Sequence, residues 1–168
     1  MSSISDQSLA AAAEDLGHEL RRRGMRMTSA ESCTGGWIAK VLTDQPGSSD
    51  YFETGLVTYS NHAKETLIGV TTLSLERYGA VSEAVVREMA VGALAATGVD
   101  MALAVSGVAG PGGGSEDKPV GTVWFAWGDG LSEPEAICQC FKGDRDAVRR
   151  ESVLFALQGV WSYLQDKR

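Results

Sequence analysis

Three short segments gather the groups that hydrolytic chemistry needs. The first, Thr28-Ser29-Ala30-Glu31-Ser32-Cys33-Thr34-Gly35-Gly36, sets hydroxyls, a thiol and two glycines between a strand and a helix. Such a turn exposes backbone N–H groups and the positive end of a helix, which hold an anion or stabilise an oxyanion. Ser32 sits where a nucleophile would use those donors. Taken alone the segment is better read as a helix cap, and it is not the Gly-x-Ser-x-Gly elbow of other hydrolases.

The second segment, Thr58-Tyr59-Ser60-Asn61-His62-Ala63-Lys64, gathers a phenol, an imidazole and an ammonium at a strand exit. A serine nucleophile needs a base, and a lysine serves only where burial or its neighbours let it be neutral. Lys64 and Tyr59 could do this for Ser32. The plainer alternative is a solvated Lys64 beside a half-buried Tyr59. His62 offers a competing Ser–His pairing, and Cys33, a thiol at a helix N-terminus, a competing nucleophile.

The third segment, Ser106-Gly107-Val108-Ala109-Gly110-Pro111-Gly112-Gly113-Gly114, follows an apolar strand and is long enough to wrap a phosphate or sugar with main-chain N–H groups. It is not a P-loop, because the glycine-lysine spacing is absent and Lys118 precedes Pro119 instead of opening a helix. Nucleoside triphosphate hydrolysis is therefore disfavoured. Further on, Arg145 could meet an anionic ligand with a bidentate fork, whereas Arg149 and Arg150 are expected to be solvated or paired with acidic neighbours.

The elements that must position these groups alternate. Helices are expected over residues 8–23, with Ser8 as cap, 35–43, 83–97 and the amphipathic C-terminal stretch, with a short helix carrying Lys64 after a cap at Asn61. Strands are expected at 25–30, 52–59, 101–106, 120–127 and 136–141, the last two as an antiparallel pair across Gly128-Asp129-Gly130. The implied fold is α/β, a three-layer α/β/α sandwich around a mixed, mostly parallel sheet of about five strands. We expect one domain over residues 1–168, since no repeat or linker divides the chain.

Bulk properties narrow the partners. The 22 acidic and 15 basic residues leave a net charge of -7, so a phosphate must be met by local donors and polymeric nucleic acid is not an expected partner. The N-terminal residues 1–7 do not read as a signal peptide and no apolar run would span a bilayer, so a cytoplasmic, membrane-free protein is expected. Three cysteines and two histidines are a poor basis for a disulfide framework or a metal cluster. Self-association into a symmetric oligomer is expected on general grounds.

Taken together, Ala30-Glu31-Ser32-Cys33-Thr34-Gly35-Gly36, Tyr59-Ser60-Asn61 with Lys64, Gly79-Ala80-Val81-Ser82, and Ser106 to Gly113 with Lys118-Pro119-Val120-Gly121-Thr122-Val123 closely resemble the CinA C-terminal domain family. The resemblance keeps motif order over nearly the whole chain. It implies an α/β/α fold, no metal or cofactor, and hydrolysis of nicotinamide mononucleotide to nicotinic acid mononucleotide and ammonia, the activity of the family's stand-alone members. By position it implies Ser32 as nucleophile, Lys64 as base and Tyr59 as an aid to proton transfer or orientation. Substrate contacts are expected from Thr34, Gly35 and Gly36, from Ser106, Gly107, Gly110 and Gly112, and from Arg145. Ser106 stands where many relatives carry threonine, which retains the hydroxyl. A nucleotide-binding module without catalysis, or an amidase using Cys33 or a Ser32–His62 pair, is the competing reading.

Overall fold

The computed structural model describes residues 3–167. The first helix, α1 (Asp6–Arg23), begins where the Ser5 hydroxyl accepts the Ser8 amide, three residues earlier than the sequence suggests. Asp6 in its first turn and Arg21, Arg22 and Arg23 in its last suit the helix dipole. Gly24, at φ 65°, supplies the left-handed residue that ends it. Then follow β1 (Met27–Glu31), α2 (Trp37–Thr43), β2 (Phe52–Val57), α3 (Asn61–Ile68), α4 (Thr72–Tyr78), α5 (Glu83–Thr97), β3 (Met101–Gly107), β4 (Thr122–Gly128), β5 (Glu135–Cys140) and α6 (Arg145–Asp166). Helix α3 is capped by Ser60, not Asn61, and α4, capped by Thr71, escapes the sequence reading altogether.

The strands form one sheet in the order β2-β1-β3-β4-β5. Strand β1 runs parallel to β2 and β3, while β4 runs antiparallel to β3 and β5. Two of the four pairings are thus antiparallel, which corrects the expectation of a mostly parallel sheet. The cause is the glycine-rich segment after β3. It carries the chain back without a crossover helix, so β4 must return against its neighbour.

The pleat divides the sheet residues by size. Met27, Met101, Leu103, Val105, Val123, Phe125 and Trp127 pack with α1, α2 and α6. Ala30, Ala102, Ala104 and Ala126 face the other way, against Val85, Val86, Met89, Ala90 and Ala93 of α5. Alanines on that face let α5 approach the sheet closely, and α3 packs in turn on α5. At that contact a Cβ on Gly92 would overlap the Ile68 carbonyl at the end of α3.

Because α3 carries Lys64, this contact sets the height of a candidate site residue. Helix propensity alone favours Gly92→Ala by about 0.5–1 kcal/mol. Overpacking against backbone costs about 1–3 kcal/mol and reverses the sign. We expect Gly92→Ala to lower the urea midpoint of unfolding, whereas a rise would show that α3 shifts freely on α5.

Candidate active site

The order of the strands marks where a site should form. From β1 the chain steps outward to β2, then crosses back to β3 on the other side of β1, so the crevice at the carboxyl ends of β1 and β3 is a topological switch point. Ser32 follows β1, and Gly107 ends β3. A cavity of about 270 Å³ opens between them, lined by Ser32, Cys33, Tyr59, Gly107, Ala109 and Arg145.

Lys64 enters from the first turn of α3, with only 1% of its surface exposed. Its Nζ lies 2.9 Å from Ser32 Oγ, 2.9 Å from the Thr58 carbonyl oxygen and 3.0 Å from that of Tyr59. These three contacts account for the three hydrogens of an ammonium. They equally suit a neutral amine, whose two N–H bonds serve the two carbonyls while its lone pair faces the serine O–H. The Ser32 hydroxyl also has the Tyr59 carbonyl as an acceptor at 3.4 Å, so its hydrogen need only rotate from that oxygen toward Lys64 Nζ to be transferred. Burial drives the lysine toward that neutral form and lowers its pKa from 10.5 to about 8.

Its neighbour Cys33 behaves oppositely. Desolvation pushes the thiol up to about 12, so the thiolate that nucleophilic attack requires is not formed near neutrality. His62 is exposed on α3, and the group that meets the Ser32 hydroxyl is Lys64. Both facts weigh against the Cys33 and Ser32–His62 alternatives.

Tyr59 acts on Lys64 through its backbone carbonyl. Its side chain is 60% exposed at the mouth of the cavity, where the hydroxyl accepts from Arg145 Nη2 at 3.4 Å. Arg145 also donates through Nη1 to the Gly110 carbonyl at 2.7 Å, which ties α6 to the glycine-rich segment. Gly107 lines the cavity, Ser106 is buried on β3 opposite Trp124, and Gly112 lies on the exposed part of the loop. Gly35 and Gly36 adopt φ 58° and 95° and line a different cavity, of about 450 Å³, beside Trp37 and α1. Thr34 is fully buried, with its hydroxyl turned to Glu31. The first segment thus divides: Ser32 and Cys33 face the cavity while Thr34, Gly35 and Gly36 shape the turn behind it.

Two residues that the sequence reading did not single out hold this turn. Glu31 is completely buried and accepts at one oxygen from Thr34 Oγ1 (2.7 Å) and the Ile38 amide (2.9 Å), and at the other from the Ala39 amide (3.0 Å) and Ser29 Oγ (3.3 Å). It supplies the cap that Gly36, lacking a side chain, cannot give α2. Arg149, expected on the surface among acidic neighbours, instead donates to the carbonyls of Cys33 and Thr34. Arg150 does pair with Asp6 and Asp146. A carboxylate directly after a strand and just before Gly-Gly was the available signal for Glu31; Arg149 gave none.

The sequence model of the CinA C-terminal domain matches residues 9–164. The chain belongs to the CinA C-terminal domain family. Relatives within reach of this family include the nicotinamide-nucleotide amidohydrolase PncC of Escherichia coli strain K12, 54% identical over 97% of this chain and 99% of that protein. The protein of the same name from Pseudomonas putida is 55% identical over 86% of this chain and 90% of its own length. Among solved structures, the competence damage-inducible protein A of Klebsiella pneumoniae superposes with a TM-score of 0.90 at 41% identity, over 94% of this chain and 97% of that one. Among the described residues, no cluster of His, Cys, Asp and Glu suited to a metal is found, and no helix is long and apolar enough to cross a membrane.

Glu31 gives this CinA-family site a direct stability test. Glu31→Gln places an amide NH₂ against N–H and O–H donors, so we expect a loss of about 2–3 kcal/mol in urea unfolding. A change under about 0.5 kcal/mol, the range of ordinary surface substitutions, would contradict the capping role.

Proposed function

We propose that this protein hydrolyses the carboxamide of nicotinamide mononucleotide, giving nicotinic acid mononucleotide and ammonia, with Ser32 as nucleophile and Lys64 as base. The observation that carries the reading is the buried Lys64 Nζ 2.9 Å from Ser32 Oγ, in a chain 54% identical over nearly its full length to a nicotinamide-nucleotide amidohydrolase.

Ser32 Oγ bonds to the amide carbon as its proton passes to Lys64 Nζ, and the carbonyl oxygen becomes an oxyanion facing main-chain N–H groups of the turn. The tetrahedral intermediate collapses as the C–N bond breaks and Lys64 returns the proton to the departing nitrogen, which leaves as ammonia. Water then attacks the Ser32 ester as Lys64 takes its proton, Lys64 passes that proton to Ser32 Oγ as the acyl C–O bond breaks, and the acid product leaves, losing its own proton to solvent as the carboxylate. The Thr58 and Tyr59 carbonyls keep the lysine aimed at the serine throughout. Arg145, Gly107 and Ala109 line the cavity where the nucleotide's anionic end would be held, and the Tyr59 phenol beside Arg145 would help orient it. Holding that remote phosphate positions the carboxamide for attack.

Ammonia release from nicotinamide mononucleotide by the purified protein is the primary test. Lys64→Met should reduce kcat by about 10²–10⁴-fold, the usual range for a lost general base, with Ser32→Ala at least as damaging and His62→Ala close to wild type. Loss with Cys33→Ala but not with Ser32→Ala would overturn the assignment, and tight binding without turnover would favour the non-catalytic reading.

The pH profile supplies an independent check. Because burial depresses the Lys64 pKa to about 8, the reactive neutral amine predominates above that value. We expect kcat/KM to fall about tenfold per pH unit below it and to level off above. A profile flat from pH 6 to 9 would exclude Lys64 as the titrating base.

A further inference from the structure

Arg149 lies just inside α6, and no step above uses it. Its Nε donates to the Cys33 carbonyl at 3.1 Å and its Nη2 to the Thr34 carbonyl at 3.2 Å, while its guanidinium stacks 5.3 Å from the centre of the Trp37 ring. The Thr34 carbonyl also accepts the Trp37 amide at 3.0 Å, so it is the Cys33–Thr34 peptide plane whose carbonyl depends on Arg149. A trans peptide holds its C=O and N–H antiparallel, so the unit whose oxygen faces Arg149 aims the Thr34 N–H the opposite way. Arg149 lines the cavity beside Trp37 and not the one against Ser32, so its two carbonyls turn away from the nucleophile.

The other amides of the turn narrow the choice of donor. The Ser32 N–H is committed to the Val105 carbonyl at 3.0 Å, and the Gly35 N–H to the Ser32 carbonyl at 3.1 Å. That second bond points the Ser32 carbonyl into the turn and the Cys33 N–H, in the same peptide unit, away from it. Among the described residues no carbonyl takes the amides of Cys33 or Thr34, and the Cys33 N–H meets only its own thiol.

We infer that Arg149 is a positioning residue, which sets the Cys33–Thr34 peptide so that the amides following the nucleophile receive the oxygen that turns negative when Ser32 attacks a carbonyl. Lysine is not equivalent there, because its ammonium lacks the rigid planar fork that meets both carbonyls while stacking on the Trp37 ring. The inference rests on the hydrolase reading of Ser32.

The test compares Arg149→Lys and Arg149→Ala with wild type by steady-state kinetics and by labelling of Ser32 with a fluorophosphonate, whose P=O oxygen occupies the oxyanion position whatever the natural substrate. We expect kcat to fall about 10²–10³-fold with KM within about threefold, and labelling to slow in parallel. Added methylguanidinium should restore part of the Arg149→Ala rate, which a general loss of packing would not permit. If Arg149→Ala does not fold, Arg149→Lys decides. Wild-type protein that releases no ammonia yet labels at Ser32, with labelling slowed in Arg149→Lys, would sink the substrate assignment and sustain this one. Labelling and turnover at wild-type rates in Arg149→Lys, a change in KM alone, or a wild-type serine that neither turns over nor labels would overturn it.

Discussion

A lysine amine held almost wholly out of water is the constraint around which the molecule is arranged. Burying an ammonium in protein is unfavourable, and the chain meets that cost with partners that an amine in either protonation state can use. The partners are two carbonyls at the exit of β2, freed from the strand ladder where the chain turns toward α3, and the hydroxyl at the exit of β1. Strand β2 must lie beside β1, α3 must start at once after Ser60, and α5 must support α3 at Gly92 for these atoms to converge. The fold is in this sense the scaffold of one contact.

The turn that carries Ser32 meets a complementary requirement. A chain leaving a strand for a helix within five residues strands backbone donors and acceptors in a dry interior, and each needs a partner. The donors at the start of α2 go to Glu31 and the acceptors at Cys33 and Thr34 go to Arg149, so opposite charges hold opposite ends of the turn. Glycines at 35 and 36 let the backbone take the left-handed angles between those two anchors. The serine hydroxyl, held by Lys64, is left facing the cavity.

Local patterns carry much of this, and long-range ones do not. Helix α5 is legible to the residue, because Ser82-Glu83 and Gly98 are strong start and stop signals, and the antiparallel β4–β5 pair is legible from its turn. Helix α4 is missed because its seven residues, with only Leu75 buried, show too little periodicity to register. The direction of β4 is missed because nothing within the glycine-rich segment says whether it crosses the sheet or turns back. At the site, the residue types of Ser32 and Lys64 suggest a pair, but the burial that makes the lysine a base depends on α3, β2 and the turn meeting in space. Arg149 acts on residues more than a hundred positions away, and its neighbours in sequence point only to the surface pairing that Arg150 adopts.

Ser32 and Cys33 show why chemistry cannot be assigned from residue type at such a site. A thiol is intrinsically the better nucleophile and the easier group to ionise, and a position ahead of a helix would ordinarily favour its thiolate. Here the ranking inverts. Cys33 is surrounded by apolar packing and lies near the Glu31 carboxylate, and both raise the cost of a negative sulfur. In the proposed reaction Ser32 needs no standing negative charge, because its proton would leave only as the bond to substrate forms, with Lys64 within hydrogen-bond distance to take it. An interior that penalises isolated charge therefore selects the residue whose charge is transient and shared. The same penalty lowers the lysine's pKa and raises that of the cysteine, so one physical cause favours the neutral amine a base requires and disfavours the thiolate.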